Sequence, residues 1–402
     1  EKQKGINSGG HDPEQGTRST AERNKLLTEN RGLTTAQAHA TQTLPEDYAG
    51  QLAILRDPKN WTPERQAFHE EVLKRAVEQA MKFAEEMRLA GNDDPTIYAM
   101  RGNTASGKTR SVAQGGAPEL SQAIEMTKAG NRSGPASGEE PLRHRANNPD
   151  AFKLEIYAHD STLGLSSNQA HIESSILSMW FHERMLAAKD ANGNPVDMLI
   201  DKRLSSAGDT QKLLADAKRT GRKVSLLDVD ADLATSLAGV LDRKHGGTDP
   251  IPPFHVIKDG FEGVRGNRLD TIFAIAQEPT AAYRLMGTDA DGNKTLVAEI
   301  KPIAPGEPIP ADPLSRLIIH DEARFNRMIP SPAEAKTQAK ALGETVITQE
   351  GIDQMTKDLP EGYRNKLKPK LEANIGKTWK QAVDEWSTLD PTTAPGSGKT
   401  GP

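Results

Sequence analysis

Eight consecutive residues constrain this chain more than any other stretch: Gly102-Asn103-Thr104-Ala105-Ser106-Gly107-Lys108-Thr109. They read G-x-x-x-x-G-K-T, the spacing of a phosphate-binding loop, and all eight are candidate nucleotide-binding residues. The two glycines let the backbone curl so that several N–H groups converge on an anion. Thr96-Ile97-Tyr98-Ala99-Met100, just before the loop, is a β-branched and aromatic run that predicts a buried strand. A helix is predicted to start after Gly107, its positive end toward the phosphates. In that frame Lys108 reaches the outer phosphates of ATP or GTP, and the Thr109 hydroxyl holds Mg²⁺.

Composition sets the limits. The chain has 402 residues, of which 35% are hydrophobic and 4% aromatic, and its mean hydropathy is −0.65. That balance predicts a folded core with polar appendages. A net charge of −5 gives no global basic field for nucleic acid, so none is expected as a partner. The absence of cysteine excludes disulfides, thiol nucleophiles and cysteine zinc sites. No apolar run approaches membrane-spanning length, so no membrane role is expected. The chain begins at Glu1, which reads as a trimmed or processed start from which an export signal could have been removed.

Four segments are expected. Residues 1–45 are rich in Gly, Thr, Gln and Asn and read as disordered. Residues 46–304 form the main domain, 305–390 a polar helical extension, and 391–402 a disordered tail. Trp61-Thr62-Pro63 opens a long helix with Thr62 as cap, a buried stripe of Phe68, Val72, Ala76, Ala80, Phe83 and Met87, and Gly91 at its end. Residues 113–149 read as an irregular insertion. Beyond it the pattern predicts a helix over 171–188, a strand over 196–201, a helix over 206–221, a strand over 224–229 and a helix over 231–243. A further helix at 254–266, a strand at 271–275 and a hairpin around Asp289-Ala290-Asp291-Gly292-Asn293 complete the domain. Alternating strands and helices at this spacing imply an α/β fold with a mainly parallel sheet covered by helices on both faces. The hairpin mimics the start of a calcium loop, but Ile300 stands where the closing Glu is required. Ala394 to Thr400 echoes the phosphate loop without a strand or helix to frame it and reads as a decoy.

Later segments resemble the zeta-toxin family of P-loop kinases, to which effector kinases of the AvrRxo type are related. Asn148-Pro149-Asp150-Ala151-Phe152-Lys153 matches that family's N-P-D-x-x-K, and His171-x-Glu173-Ser174-Ser175 its H-x-E-S-S. Arg243-Lys244-His245-Gly246-Gly247 with Ile251-Pro252 is similar to its R-x-x-G-G and V-P segment. The resemblance covers about residues 60–300. It implies a P-loop kinase core that uses ATP or GTP with Mg²⁺ to phosphorylate a sugar or ribose hydroxyl. The acceptor it implies is UDP-N-acetylglucosamine, or NAD for the AvrRxo type. It further implies a toxin or effector, acting in the bacterial cytoplasm or secreted into a target cell, with an antitoxin or chaperone as partner.

The residues supply chemistry of that kind. Transfer of a phosphoryl group rests on positioning and charge stabilisation. Asp150, read as part of an extended segment, is the expected base for the attacking hydroxyl. Lys108 and Arg243 are the expected catalytic cations, with Arg265 and Arg268 as alternatives. Lys153, His171, Glu173, Asp201 and Arg203 are expected at the acceptor. The family's acidic residue followed by Gly-Thr is here Asp201-Lys202-Arg203, whose added positive charge implies an acceptor carrying phosphate. Two other readings stand beside the kinase: a P-loop ATPase without acceptor, and a non-catalytic effector module.

Overall fold

Strand β1 (Thr96–Gly102) is buried at all seven positions, as a strand flanked by others on both edges must be. Its residues alternate between two apolar layers. Ile97 and Ala99 join Val224, Leu226, Leu213 and Ile272, whereas Tyr98 and Met100 join Phe83, Met87, Val112 and Leu227. Apolar side chains on both faces of one strand require helices on both faces of the sheet.

The computed structural model describes residues 48–120, 146–159, 170–243, 251–289, 291–357, 359 and 361–388. The segment read at 1–45, most of the insertion read at 113–149, the 244–247 part of the R-x-x-G-G match and the tail with its decoy loop lie outside them. In chain order the helices are α1 (Tyr48–Leu55), α2 (Pro63–Leu89), α3 (Lys108–Ala113), α4 (Pro149–His159), α5 (His171–Ala187), α6 (Ala207–Thr220), α7 (Leu233–Leu241), α8 (Phe254–Gly266) and α9 (Arg268–Ala276). Then come α10 (Glu322–Met328), α11 (Pro332–Glu344), α12 (Gln349–Thr356), α13 (Glu361–Glu372) and α14 (Trp379–Thr388). The remaining strands are β2 (Met198–Asp201), β3 (Lys223–Val229), β4 (Ala282–Thr288), β5 (Lys294–Ile300) and β6 (Leu317–Ile319). The sheet order is β2-β1-β3-β4-β5-β6, with β2, β1, β3 and β4 parallel and the last two strands antiparallel.

Local chemistry explains the boundaries. Thr62 accepts the Arg65 amide proton at 3.3 Å and Pro63 sets the first helical φ, so α2 starts where the sequence reading placed it. Ser206 and Asp209 form a reciprocal cap at the start of α6, and Gly221, at φ 68°, ends it. The predicted hairpin is present as β4 and β5. Asp289 closes its turn by accepting the amide protons of Asp291 and Asn293, at 3.0 and 2.8 Å.

Two expectations are corrected. The strand read at 271–275 is helix α9, which buries Arg268, Thr271, Ile272, Ile275 and Ala276. A five-residue β-branched run carries no period of its own, and here burial at three- and four-residue intervals wins. The extended reading of Asn148-Pro149-Asp150 is also wrong, because Pro149 opens α4. Asn148 accepts the Asp150 amide proton through its side-chain oxygen at 2.8 Å, which is capping chemistry. The stretch read as a polar extension is largely helical but also provides β6, which pairs with β5. Its Phe325 and Met328 enter the main core. Ala339, Leu371, Trp379 and Val383 pack with Leu237, Ile257 and Phe261 of α7 and α8 in a second core.

The carboxyl end of β3 is held by a buried ionic network. Asp228 accepts protons from Arg101 (2.7 Å), Arg268 (3.0 and 3.2 Å) and the Tyr283 hydroxyl (2.8 Å). Asp230 accepts from Arg265 at 2.9 and 2.7 Å and from Arg268 at 2.7 Å. Those guanidinium groups hold the Asp230 carboxyl down at about 2 against the opposing effect of burial, and they lower Asp228 as well. Removing one member strands buried charge. Asp228→Ala is expected to lower unfolding stability by about 3–5 kcal/mol, read as a shift of the urea midpoint at unchanged slope.

Candidate active site

The phosphate-binding loop follows β1 directly. Gly107, at φ 82°, caps α3, and Ala105 is also left-handed at φ 56°. A Cβ on Gly102 would fall 2.6 Å from Ser106 Oγ and 2.7 Å from the Val229 carbonyl, so no larger residue fits. Helices α7 and α8 back the loop. The Asn103 side-chain amide donates to the Ile257 carbonyl at 3.2 Å and lies 3.4 Å from Ser236 Oγ. Gly239 of α7 leaves space for Ala105, since a Cβ there would approach the Ala105 Cβ to 2.8 Å. Ser106 Oγ and Asn103 Oδ1 are buried and have no hydrogen-bond partner among the described residues. A glycine-lined curl with orphaned polar atoms fits a bound polyphosphate. Thr109 sits exposed in the first turn of α3, available to a cation on that phosphate. Among the described residues no cluster of three carboxylate or imidazole groups forms a separate metal site.

One carboxylate reaches the loop directly and a second stands on the segment tied to it. Asp201, at the end of β2, lies 3.5 Å from the Lys108 ammonium and accepts a proton from the Asn148 amide at 3.1 Å. Asn148 in turn holds the Asp150 amide. A relay Lys108–Asp201–Asn148–Asp150 thus ties the start of α4 to the phosphate loop. Asn147 adds a parallel bridge to Ile200, so Asp150 stands at the carboxyl edge of the sheet although it is helical. The Lys153 ammonium lies 3.1 Å from the Asp150 carboxylate, one turn along α4.

Arg203 completes this wall. Its guanidinium donates to the Val256 carbonyl at 2.7 Å and would lie 2.8 Å from a Cβ on Gly260, the same spot that Asn103 Oδ1 approaches to 2.5 Å. Burial lowers its pKa, and the nearby charges of Asp150 and Asp259 oppose that. His171, at the start of α5, is pushed down to about 4 by burial and by the Lys153 charge, so its imidazole is neutral at physiological pH. Lys108, Asp150, Lys153, His171, Asp201 and Arg203 are therefore assembled from separate segments. Lys202 is not with them, because it turns away toward α5 and α6.

Glu173 is corrected. It is fully buried, with its carboxylate held by Arg65 at 2.6 and 2.9 Å and by His69 at 2.7 Å, so it ties α5 to α2. Arg265 and Arg268 belong to the ionic network and do not reach the loop as free cations. Arg243 follows α7 one turn beyond Gly239, and its carbonyl accepts the Trp386 indole proton at 3.3 Å. Sequence reasoning missed Lys294. From the start of β5 its side chain lies against Gly107, with Cε 3.2 Å from a Cβ built there, and its ammonium donates to the Asp230 carbonyl at 3.1 Å. Only the hairpin, which folds β5 back across the sheet, puts it there; no local signal marks it.

No family model and no curated protein sequence matches this chain. Solved structures do. A chain of the crystal structure of AvrRxo1-ORF1:AvrRxo1-ORF2 with sulphate ions is 33% identical, with a TM-score of 0.74, covering 90% of this chain and 99% of that one. The native AvrRxo1-ORF1:-ORF2 complex gives 34% identity, a TM-score of 0.73, and 90% and 98% coverage. The complex with ATP gives 34%, 0.72, and 87% and 96%.

Burial pulls the Lys294 ammonium down to about 8, against the Asp230 and Asp232 charges and with that of Arg110. It is cationic below that value and neutral above it. Affinity for a Mg–nucleoside triphosphate is therefore expected to fall as pH rises from about 7 to about 9. Lys294→Met should weaken binding about tenfold or more at pH 7 and flatten that pH dependence, measured by titration calorimetry.

Proposed function

The chain belongs to the AvrRxo1 family, and from that premise we propose that it is an ATP-dependent kinase acting on a hydroxyl of a nucleotide-linked metabolite. The observation that supports this reading is the relay from Lys108 through Asp201 and Asn148 to the Asp150 amide, which brings the first turn of α4 to the phosphate loop. A hydrolytic ATPase has no need of the second, cationic wall formed by Lys153 and Arg203. That wall suits an acceptor that itself carries phosphate.

The residues divide the work. The backbone from Gly102 to Thr109, with Lys108, holds the triphosphate and neutralises charge that builds on the moving phosphoryl group. Mg²⁺, held by the Thr109 hydroxyl, would supply further neutralisation of the β- and γ-oxygens. Asp150 accepts the proton of the attacking hydroxyl as its oxygen bonds to the γ-phosphorus. The bond from that phosphorus to the β,γ-bridging oxygen breaks, and ADP leaves. Lys153 lies beside Asp150, its ammonium 3.1 Å from the carboxylate, and orients it. Neutral His171 offers hydrogen bonding to the acceptor without repelling Lys153. Arg243, one turn past the helix segment that backs the loop, is the second cation on the transferred group.

Membership of this family favours NAD as acceptor over UDP-N-acetylglucosamine. The solved relatives are complexes of two proteins, AvrRxo1-ORF1 and -ORF2. An antitoxin or chaperone that binds this chain, and action as a toxic effector, are part of the same proposal. No helix among the described residues is long and apolar enough to cross a membrane.

Incubation of the protein with ATP, Mg²⁺ and NAD should yield a species about 80 Da heavier than NAD by mass spectrometry, one phosphoryl unit. Asp150→Asn and Lys108→Ala should each cut the rate by about 10²-fold or more with the thermal midpoint retained. A product formed on UDP-N-acetylglucosamine instead would reassign the acceptor. ADP release at the wild-type rate with no phosphorylated product would replace the kinase by an ATPase.

A further inference from the structure

A second cavity lies across β2 from the cleft just described, between α5 and α6, with a volume of about 330 Å³. That is the lower end of the ~300–1,000 Å³ range of small-molecule sites. Met179, Trp180, Ile200, Leu204 and Leu213 give it apolar walls, with charged side chains around them. Of the basic side chains that line it, Lys212 and His182 are paired with Asp216 and Arg56 is exposed, whereas Lys202 has no side-chain partner among the described residues. It lies on the cavity side because successive residues of an extended strand point to opposite sides. Asp201 and Arg203 face the phosphate loop, and Lys202 between them faces the cavity.

The carboxylates around the cavity are engaged elsewhere. Asp216 accepts from Lys212 at 2.6 Å, His182 at 2.8 Å and Arg219 at 3.0 Å. Asp209 accepts the Ser206 amide proton at 2.8 Å in the α6 cap and reaches Lys202 only through space. Glu183 is exposed and lies 4.0 Å from Arg219. The Lys202 amide donates to the Met100 carbonyl at 3.4 Å, but its ammonium makes no hydrogen bond or ion pair with any described residue. An ammonium with no hydrogen-bonded partner and only the through-space charge of Asp209 is costly to bury, and burial pulls Lys202 down to about 8, with the Lys212 charge adding to it. Proteins retain such a group where a ligand supplies the missing charge.

We propose that this cavity is a second ligand site that takes a small aromatic monoanion, its ring between Trp180 and the leucines and its anionic head on Lys202. The proposal stands apart from the kinase reading, since it uses no residue of the phosphate loop or the cleft. Because Lys202 shares its backbone with Asp201 and Arg203, an occupant would also bear on the cleft.

Saturation-transfer NMR with 2-naphthoate, and with neutral 2-naphthamide as control, tests it in the presence of saturating Mg–ATP, which blocks the phosphate loop. Wild-type protein is expected to bind naphthoate at least tenfold more tightly than naphthamide. Lys202→Met keeps the volume of the side chain and removes a charge that its half-buried setting penalises, so it should fold with an equal or higher thermal midpoint. In that variant naphthoate should bind at least tenfold more weakly than in the wild type, while naphthamide is unchanged. Equal naphthoate affinity in Lys202→Met and wild type would overturn the proposal, as would no detectable naphthoate binding to the wild type at millimolar concentration. A second variant, Leu213→Trp, fills the cavity from its apolar side and should abolish binding of both probes; unchanged binding there would place the probe elsewhere and likewise overturn it.

Discussion

Two aspartates at the end of β3 organise everything around them. Asp228 gathers Arg101 from β1, Arg268 from α9 and Tyr283 from β4. Asp230 gathers Arg265 and Arg268 through its side chain and Lys294 through its carbonyl. Arg101 also donates to the carbonyls of Leu204 and Val264, at 2.9 and 2.6 Å. The segment after β2, the end of α8 and the phosphate loop thus share one rigid foundation. Such a cluster need not add net stability relative to an apolar core. Its worth here is geometric, because each arm carries a piece of the cleft.

Strain collects at the same place. Ala105 and Leu204 are the non-glycine residues with left-handed backbone among those described, at φ 56° and 48°. Ala105 lies inside the phosphate loop, and Leu204 directly follows Arg203. A left-handed alanine or leucine costs about 1–3 kcal/mol. Packing of α7 against Ala105 and the Arg101 hydrogen bond to Leu204 hold both in place. The cleft is preorganised by elements distant in sequence rather than by its own loops.

That dependence explains what could be read from the sequence. The phosphate loop, its strand, the cap at Thr62 and the capped helix from Ser206 to Gly221 carry local chemistry, and each was legible. Asp150, Lys153 and His171 were named by short ordered motifs, and Asp201 and Arg203 by a departure from one; their roles stay proposals, and Asp150 sits in a helical turn rather than an extended one. Glu173 was not, because its partners Arg65 and His69 lie on a helix a hundred residues earlier. Lys294 was not, because only the antiparallel hairpin brings it beneath Gly107. The strand expected at 271–275 failed for a related reason: Arg268 and the buried face of α9 are chosen by the ionic network, not by intrinsic propensity.

The backing of the phosphate loop bears on how this chain is made. Gly107 rests on Lys294, Ala105 on Gly239, and α7 and α8 are themselves covered by helices that end at Thr388. A nascent polypeptide that has left the ribosome only as far as α6 carries the whole loop sequence yet lacks its floor. The loop gains its floor only once β5 and the helices that cover α7 and α8 have emerged, so its curl is set late relative to its own place in the chain.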